Sequence, residues 1–207
     1  MKGSIVAIVT PMKKNGSIDF DSFSKLIEFH EDAATDGIVL VGTTGESATL
    51  SKKEREEIYQ FAKSSTNIPL MAGIGSSSTL EACKLADIAL KNDITDCLAV
   101  TPYYNKPSQK GLIFHYEELC KTGASILLYN VPGRTGVDLL PNTVLQLAEK
   151  ENIIGIKEAV NTEIRFKDLL KVKAYRSDFL ILSGDDPTFV NFMEEGADGI
   201  ISVAANV

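Results

Sequence analysis

Eight short apolar runs rich in Val, Ile and Leu punctuate the chain, beginning near Ser4, Ile38, Pro69, Cys97, Ser125, Ile153, Phe179 and Gly199. Their starts lie 34, 31, 28, 28, 28, 26 and 20 residues apart. A repeat of that size holds one strand, one helix and two short loops, so each unit reads as βα. The segments between the runs carry helix signals. Phe23, Leu26 and Ile27 stand at helical spacing, Ser51 to Glu54 and Ser78 to Glu81 have the capping-box form, and Asp186 precedes Pro187 at a first helical position.

Eight strands alternating with helices predict an α/β fold, a closed parallel (β/α)8 TIM barrel, with an open doubly wound sheet as the competitor. The phosphate fingerprint of the open sheet is only half present. After the third run the chain reads Gly73-Ile74-Gly75-Ser76-Ser77-Ser78, with Ser78 where a third glycine belongs. No stretch of low complexity interrupts the pattern, so residues 1–207 read as one domain. The sequence given stops at Ala204-Ala205-Asn206-Val207, straight after the eighth run. The expectation is a C-terminally shortened barrel that lacks the eighth helix and exposes the outer face of Gly199-Ile200-Ile201-Ser202-Val203 as an apolar patch.

One lysine breaks the apolar pattern. It lies in Ile153-Ile154-Gly155-Ile156-Lys157-Glu158-Ala159, a run suited to a strand covered on both faces. Burying an unpaired ammonium is costly, so the amine should titrate low and spend time neutral. A neutral, sheltered lysine is a nucleophile for carbonyl carbon and gives an imine that serves as an electron sink. The plain alternative is a side chain that snorkels from the strand end to water.

Composition narrows the partners. The 207 residues are 44% hydrophobic with a formal net charge of -7. No lysine or arginine cluster outweighs that background, which argues against nucleic acid and anionic membrane surfaces. No apolar run reaches the roughly 18 residues of a membrane span, and the chain is read as cytoplasmic. Cys83, Cys97 and Cys120 are odd in number and unpaired in spacing, as structural thiols are. With His30 and His115 the only histidines and no Cys-x-x-Cys, no metal is expected, and without a dedicated phosphate loop no other cofactor is expected either.

In a barrel the chemistry gathers on the loops after the strands. After the second comes Gly42-Thr43-Thr44-Gly45-Glu46, where N–H groups can turn toward a carboxylate beside Thr44, although an ordinary tight turn reads the same. After the fourth comes Thr101-Pro102-Tyr103-Tyr104-Asn105-Lys106-Pro107, and paired tyrosines are more often packing or interface anchors. After the fifth comes Tyr129-Asn130-Val131-Pro132-Gly133-Arg134-Thr135-Gly136, whose arginine is either a solvated loop charge or a fork for a carboxylate. Lys157 follows the sixth strand and Ser183-Gly184-Asp185-Asp186 the seventh. Two threonines, three tyrosines, an arginine and a lysine would ring one mouth, and seven coincidences are much less probable than one.

In order and spacing these four motifs, from Gly42–Glu46 through Thr101–Asn105 and Tyr129–Gly136 to Gly155–Glu158, resemble the dihydrodipicolinate synthase family of pyruvate-dependent class I aldolases, over the whole chain. The threonine loop and lysine are shared with N-acetylneuraminate lyase; Pro132-Gly133-Arg134-Thr135-Gly136 points to the synthase branch. The resemblance implies a lyase of lysine and diaminopimelate biosynthesis. Lys157 forms an imine with pyruvate, and the enamine attacks L-aspartate 4-semialdehyde to give 4-hydroxy-tetrahydrodipicolinate. Tyr129, Thr43 and Tyr104 move protons, with Tyr104 supplied by a neighbouring subunit, so a homo-oligomer follows, a dimer or dimer of dimers. Thr44 holds the pyruvate carboxylate, Arg134 that of the aldehyde, and Gly184 and Ile201 line the pocket.

Family members continue into an eighth helix and a C-terminal helical region that supports a homotetramer; neither is in the sequence given. Ser47, Ala48, Glu81 and Tyr103 match the family's lysine effector site. Lys52 and Arg55 stand where sensitive members often carry histidines and Ser77 where they carry asparagine, so added positive charge predicts weak lysine feedback. Two other readings stay open: a sialic-acid or keto-deoxy-sugar aldolase with the same imine, and an inactive barrel fragment.

Overall fold

The computed structural model describes residues 1–207, and in it the eight apolar runs close into one barrel of parallel strands in sequence order. They are β1 (Gly3–Ala7), β2 (Gly37–Leu40), β3 (Leu70–Gly73), β4 (Asp96–Val100), β5 (Ser125–Asn130), β6 (Ile153–Glu158), β7 (Leu180–Ser183) and β8 (Gly199–Ser202), each starting within a residue of its predicted position. β8 pairs with β1 to complete the cylinder, which removes the open doubly wound sheet. Around it run α1 (Phe20–Asp32), α2 (Lys52–Ser65), α3 (Thr79–Lys91), α4 (Gln109–Cys120), the short α5 (Pro132–Thr135) and α6 (Pro141–Leu147), α7 (Glu163–Tyr175) and α8 (Phe189–Glu194).

Because successive side chains of a strand alternate between faces, the apolar residues divide into two cores. Ile5, Ala7, Val39, Met71, Leu98, Leu127, Tyr129, Leu180, Leu182 and Ile201 fill the cylinder itself. A larger cluster, including Ile38, Leu40, Ile126, Leu128, Ile156 and Ile181 of the strands and Phe23, Ile58, Leu85 and Phe166 of the helices, packs the wall against the outer ring. Gly199 fits the closure seam because a Cβ there would collide with the carbonyl oxygen of Gly3.

Local expectations were met unevenly. Ser51 and Glu54 form a full capping box, but Ser78 caps the Glu81 amide from one side only. The Glu81 carboxylate turns away to Lys52 and Lys84, because two ammonium groups are stronger partners than one amide. Asp186-Pro187 opens a single 3₁₀ turn, Asp186–Thr188, that leads into α8. The predicted apolar patch on β8 is absent: Ile200 is 6% exposed beneath the outer layer, and of that run only Val203 opens to solvent.

One irregularity aims the chemistry. Between β5 and β6, Ile126 pairs with Ile153 but Leu127 pairs with Gly155, so Ile154 is an extra residue in a bulge. Strict alternation from Ile153, which packs on the outer wall, would send Lys157 outward as well. The added residue shifts the parity, and Lys157 comes into register with Tyr129, which points into the cylinder. Gly155 makes room for the bulge, since a Cβ there would strike the backbone and side chain of Leu180.

Candidate active site at the barrel mouth

Lys157 is the penultimate residue of β6 and Tyr129 the penultimate residue of β5, both at the carboxyl ends where barrel chemistry assembles. The lysine is 4% exposed, and its Nζ lies 4.4 Å from the centre of the Tyr129 ring. Burial pulls its pKa down to about 8, with Asp186 opposing the shift and Arg134 adding to it. Burial likewise raises the Tyr129 phenol, against the pull of Arg134. The result is an amine that is partly neutral near physiological pH beside a phenol that keeps its proton.

A cavity of about 460 Å³ opens above the amine, walled by Thr43, Thr44, Tyr129, Arg134, Lys157, Gly184 and Asp186. Gly184 belongs there by size, because a Cβ would stand 3.1 Å from Lys157 Cε. The threonine loop is held by Thr10 Oγ1, which donates to the Gly45 carbonyl at 2.7 Å, and by left-handed backbone at Val41 and Glu46. The Thr43 and Thr44 amides donate to no acceptor in the chain. They leave a small electropositive nest beside the Thr44 hydroxyl. Arg134 forms no ion pair with the chain's own carboxylates, so its fork is open to a bound one.

The other candidates stand elsewhere. Ile201, 1% exposed, is packed inside the cylinder and does not wall the cavity; Val203, two residues on along the same face, does. Tyr104 lies on the rim of an adjoining cavity of about 780 Å³ that shares Gly42, Thr43, Tyr129 and Arg134 with the first. Its ring is 94% exposed and its backbone left-handed, and no hydrogen bond joins it to Thr43 or Tyr129. Ser47, Ala48 and Tyr103 line this larger cavity, but Glu81 does not.

The positive charges of Lys52 and Arg55 are taken up by partners within the chain. Lys52 pairs with Glu81, whose carboxyl the two lysines hold down at about 2. Arg55 is buried and donates to the carbonyls of Ser47, Leu50 and Gly73. Neither cation projects as a free charge into the larger cavity. The cysteines are all unpaired, and burial pushes the Cys97 thiol up to about 12. No cluster of three or more potential metal ligands forms, and no helix is long and apolar enough to cross a membrane.

Sequence reasoning missed Asp186 as a neighbour of the lysine. Its carboxylate accepts from the Ser202 hydroxyl and from the Val203 and Ala204 amides, at 3.0 and 3.2 Å, and so fixes the chain after β8 at the cavity edge. In the sequence it reads as a helix start and as one residue of the loop after the seventh strand, with no role of its own.

A closed parallel barrel carrying a desolvated lysine at its mouth, with a tyrosine and an unpaired arginine beside it, defines a lysine-nucleophile enzyme of the aldolase type. The comparisons narrow that class. The model of the dihydrodipicolinate synthetase family matches residues 1–207, and the chain belongs to that family. It is 48% identical over 209 residues to the 4-hydroxy-tetrahydrodipicolinate synthase of Buchnera aphidicola subsp. Schizaphis graminum, covering 100% of this chain and 70% of the relative. It is 50% identical to that of Stutzerimonas stutzeri, covering 99% and 70%. The chloride-inhibited dihydrodipicolinate synthase of Acinetobacter baumannii, solved in complex with pyruvate, superposes with a TM-score of 0.95 at 46% identity over 100% of this chain and 71% of that one.

Proposed function

We propose that the protein condenses pyruvate with L-aspartate 4-semialdehyde to 4-hydroxy-tetrahydrodipicolinate, the entry step of lysine and diaminopimelate biosynthesis. The observation that carries this reading is the Lys157 amine, buried beside Tyr129 under a cavity that also holds an unpaired arginine. The names of the relatives point the same way.

Neutral Lys157 Nζ adds to the keto carbon of pyruvate, and loss of water leaves an imine. The protonated imine nitrogen draws electrons from C3, a C3 proton departs, and the resulting enamine carbon attacks the aldehyde carbon of the second substrate. The amino group of the adduct then displaces the lysine nitrogen from the former keto carbon, which closes the ring and restores the free amine. Tyr129, whose ring centre lies 4.4 Å from the nitrogen, gives and retakes protons, with Thr43 as relay. The Thr44 hydroxyl and the open amides of the threonine loop bind the pyruvate carboxylate, Arg134 binds that of the semialdehyde, and Gly184 leaves the space both occupy. No cofactor enters this scheme, because the imine supplies the electron sink.

Tyr104, exposed on its own subunit, completes the relay in a neighbouring one, so the reading includes a homo-oligomer in the cytoplasm. The open guanidinium favours a carboxylate-bearing aldehyde over a sugar aldehyde, whose hydroxyls need matched neutral partners. Turnover of pyruvate with L-aspartate 4-semialdehyde, compared with N-acetylmannosamine and other sugar aldehydes, tests the assignment. Product with the semialdehyde alone supports it; preference for a sugar assigns the other aldolase branch, and no turnover with any aldehyde leaves the inert fragment.

A further inference from the structure

The loop that presents Arg134 is fastened from behind by a buried polar cluster. Asn130, the last residue of β5, is wholly buried. Its Nδ2 donates to Asp138 Oδ1 at 2.8 Å and to the two Glu158 carboxylate oxygens at 3.0 and 3.1 Å. Its Oδ1 accepts from the Leu139 amide at 2.9 Å. One side chain at the start of the loop therefore grips both residues at its end. Arg165, on α7, holds the same end from outside, with Nη1 donating to the Leu139 carbonyl at 3.0 Å and Nη2 paired with Asp138.

Glu158 ties this cluster to the nucleophile's strand. It follows Lys157 in β6 and points to the opposite face, pairs in register with Asn130, and accepts from the Val160 amide at 2.8 Å. Its second oxygen lies 3.6 Å from Arg165 Nη1. No buried side-chain polar atom of this cluster lacks a partner, yet none of its residues walls the cavity. Buried polar groups joined in this way fix one geometry, since any displacement leaves a desolvated donor or acceptor. The fixed part is the span Val131–Leu139, and Arg134 is the charged side chain that it carries to the cavity.

We infer that Asn130, Glu158, Asp138 and Arg165 form a clasp that positions Arg134, and thereby sets affinity for the carboxylate-bearing second substrate without acting on imine formation. These are positioning residues, distinct from the groups that touch substrate, and their assigned effect rests on the reaction proposed above.

The test compares Asn130→Ala, Arg165→Lys, Arg134→Ala and the Asn130→Ala/Arg134→Ala pair. In Asn130→Ala the KM for L-aspartate 4-semialdehyde rises about tenfold or more, as displacement of a binding group by about an ångström can produce. Pyruvate KM and borohydride trapping of pyruvate stay within about twofold of the unmodified enzyme, because burial is the main cause of the lowered Lys157 pKa and Arg134 only adds to it. In the double variant the aldehyde KM is no higher than in Arg134→Ala alone. Amide hydrogen exchange across residues 131–139 quickens in Asn130→Ala, a readout that needs no substrate. Arg165→Lys, at the outer end of the clasp, shows the same pattern more weakly and stands in if Asn130→Ala does not fold. Equal rises in both KM values, full additivity with Arg134→Ala, or unchanged exchange overturns the clasp. Failure of the unmodified enzyme to trap pyruvate overturns the reaction instead and leaves the exchange result to judge the clasp.

Discussion

Tyr129 and Lys157 face each other in register across β5 and β6, with the lysine nitrogen 4.4 Å from the centre of the tyrosine ring. The pair makes the amine both reachable and unhydrated. The ring excludes water from one side, while the cation it faces is destabilised by the surrounding burial more than the ring's π-face can restore.

The lysine pKa is about 8 in the folded chain and near the ordinary lysine value when unfolded. Between those values the unfolded state binds more protons, so this group's cost to stability is complete below about pH 8 and fades as pH rises above it. Lys157→Met should raise stability near pH 7 by up to about 3 kcal/mol, with the gain shrinking toward pH 10. Chemical denaturation at both pH values measures this, and a Met variant less stable than its parent at pH 7 contradicts it.

Tyr129→Phe keeps the ring that covers the amine and removes the hydroxyl. Turnover should fall by about 10²- to 10⁴-fold, the usual worth of a placed acid–base group, while the melting temperature moves little. Loss of less than about tenfold assigns the proton transfers to another group.

Gly155→Ala tests the bulge. Its Cβ would meet Leu180, so the variant should lose about 1–3 kcal/mol, roughly 2–12 °C in melting temperature for a chain of this size. Gly184→Ala should differ in kind, costing turnover more than stability because its nearest movable neighbour is the Lys157 side chain. Calorimetry and a steady-state assay on both variants separate the two effects.

Tyr104→Phe and Lys157→Met should each be nearly inactive as pure proteins. Mixed and reassembled, they should regain activity, because in the proposed shared site a hybrid oligomer would combine an intact lysine with an intact neighbouring tyrosine. No recovery on mixing contradicts the shared site.

Much of the barrel was legible because its period is carried by solvent-excluded strands: all eight runs are apolar for the same physical reason, and each was located to within a residue. The direction of Lys157 was not legible. Alternation counted from Ile153 gives the wrong face, and nothing in Ile153-Ile154-Gly155 marks a bulge until β5 lies beside it. The mouth residues were found as types that follow strands, but Tyr104 and Tyr129 look alike in a sequence and differ in the fold from 94% to 6% exposure. Ile201 is a pocket residue only by the family resemblance, and it is packed within the cylinder. The clasp was invisible because Asn130, Asp138, Glu158 and Arg165 are scattered, and ordinary surface polar residues have the same letters.

The proposed chemistry requires Lys157 Nζ to be the atom that bonds to the keto acid. Borohydride reduction in the presence of pyruvate, followed by peptide mass mapping, examines this directly. A reduced pyruvyl adduct on Lys157, absent without pyruvate and absent in Lys157→Met, is the predicted result. An adduct on any other lysine, or none under conditions of turnover, contradicts it.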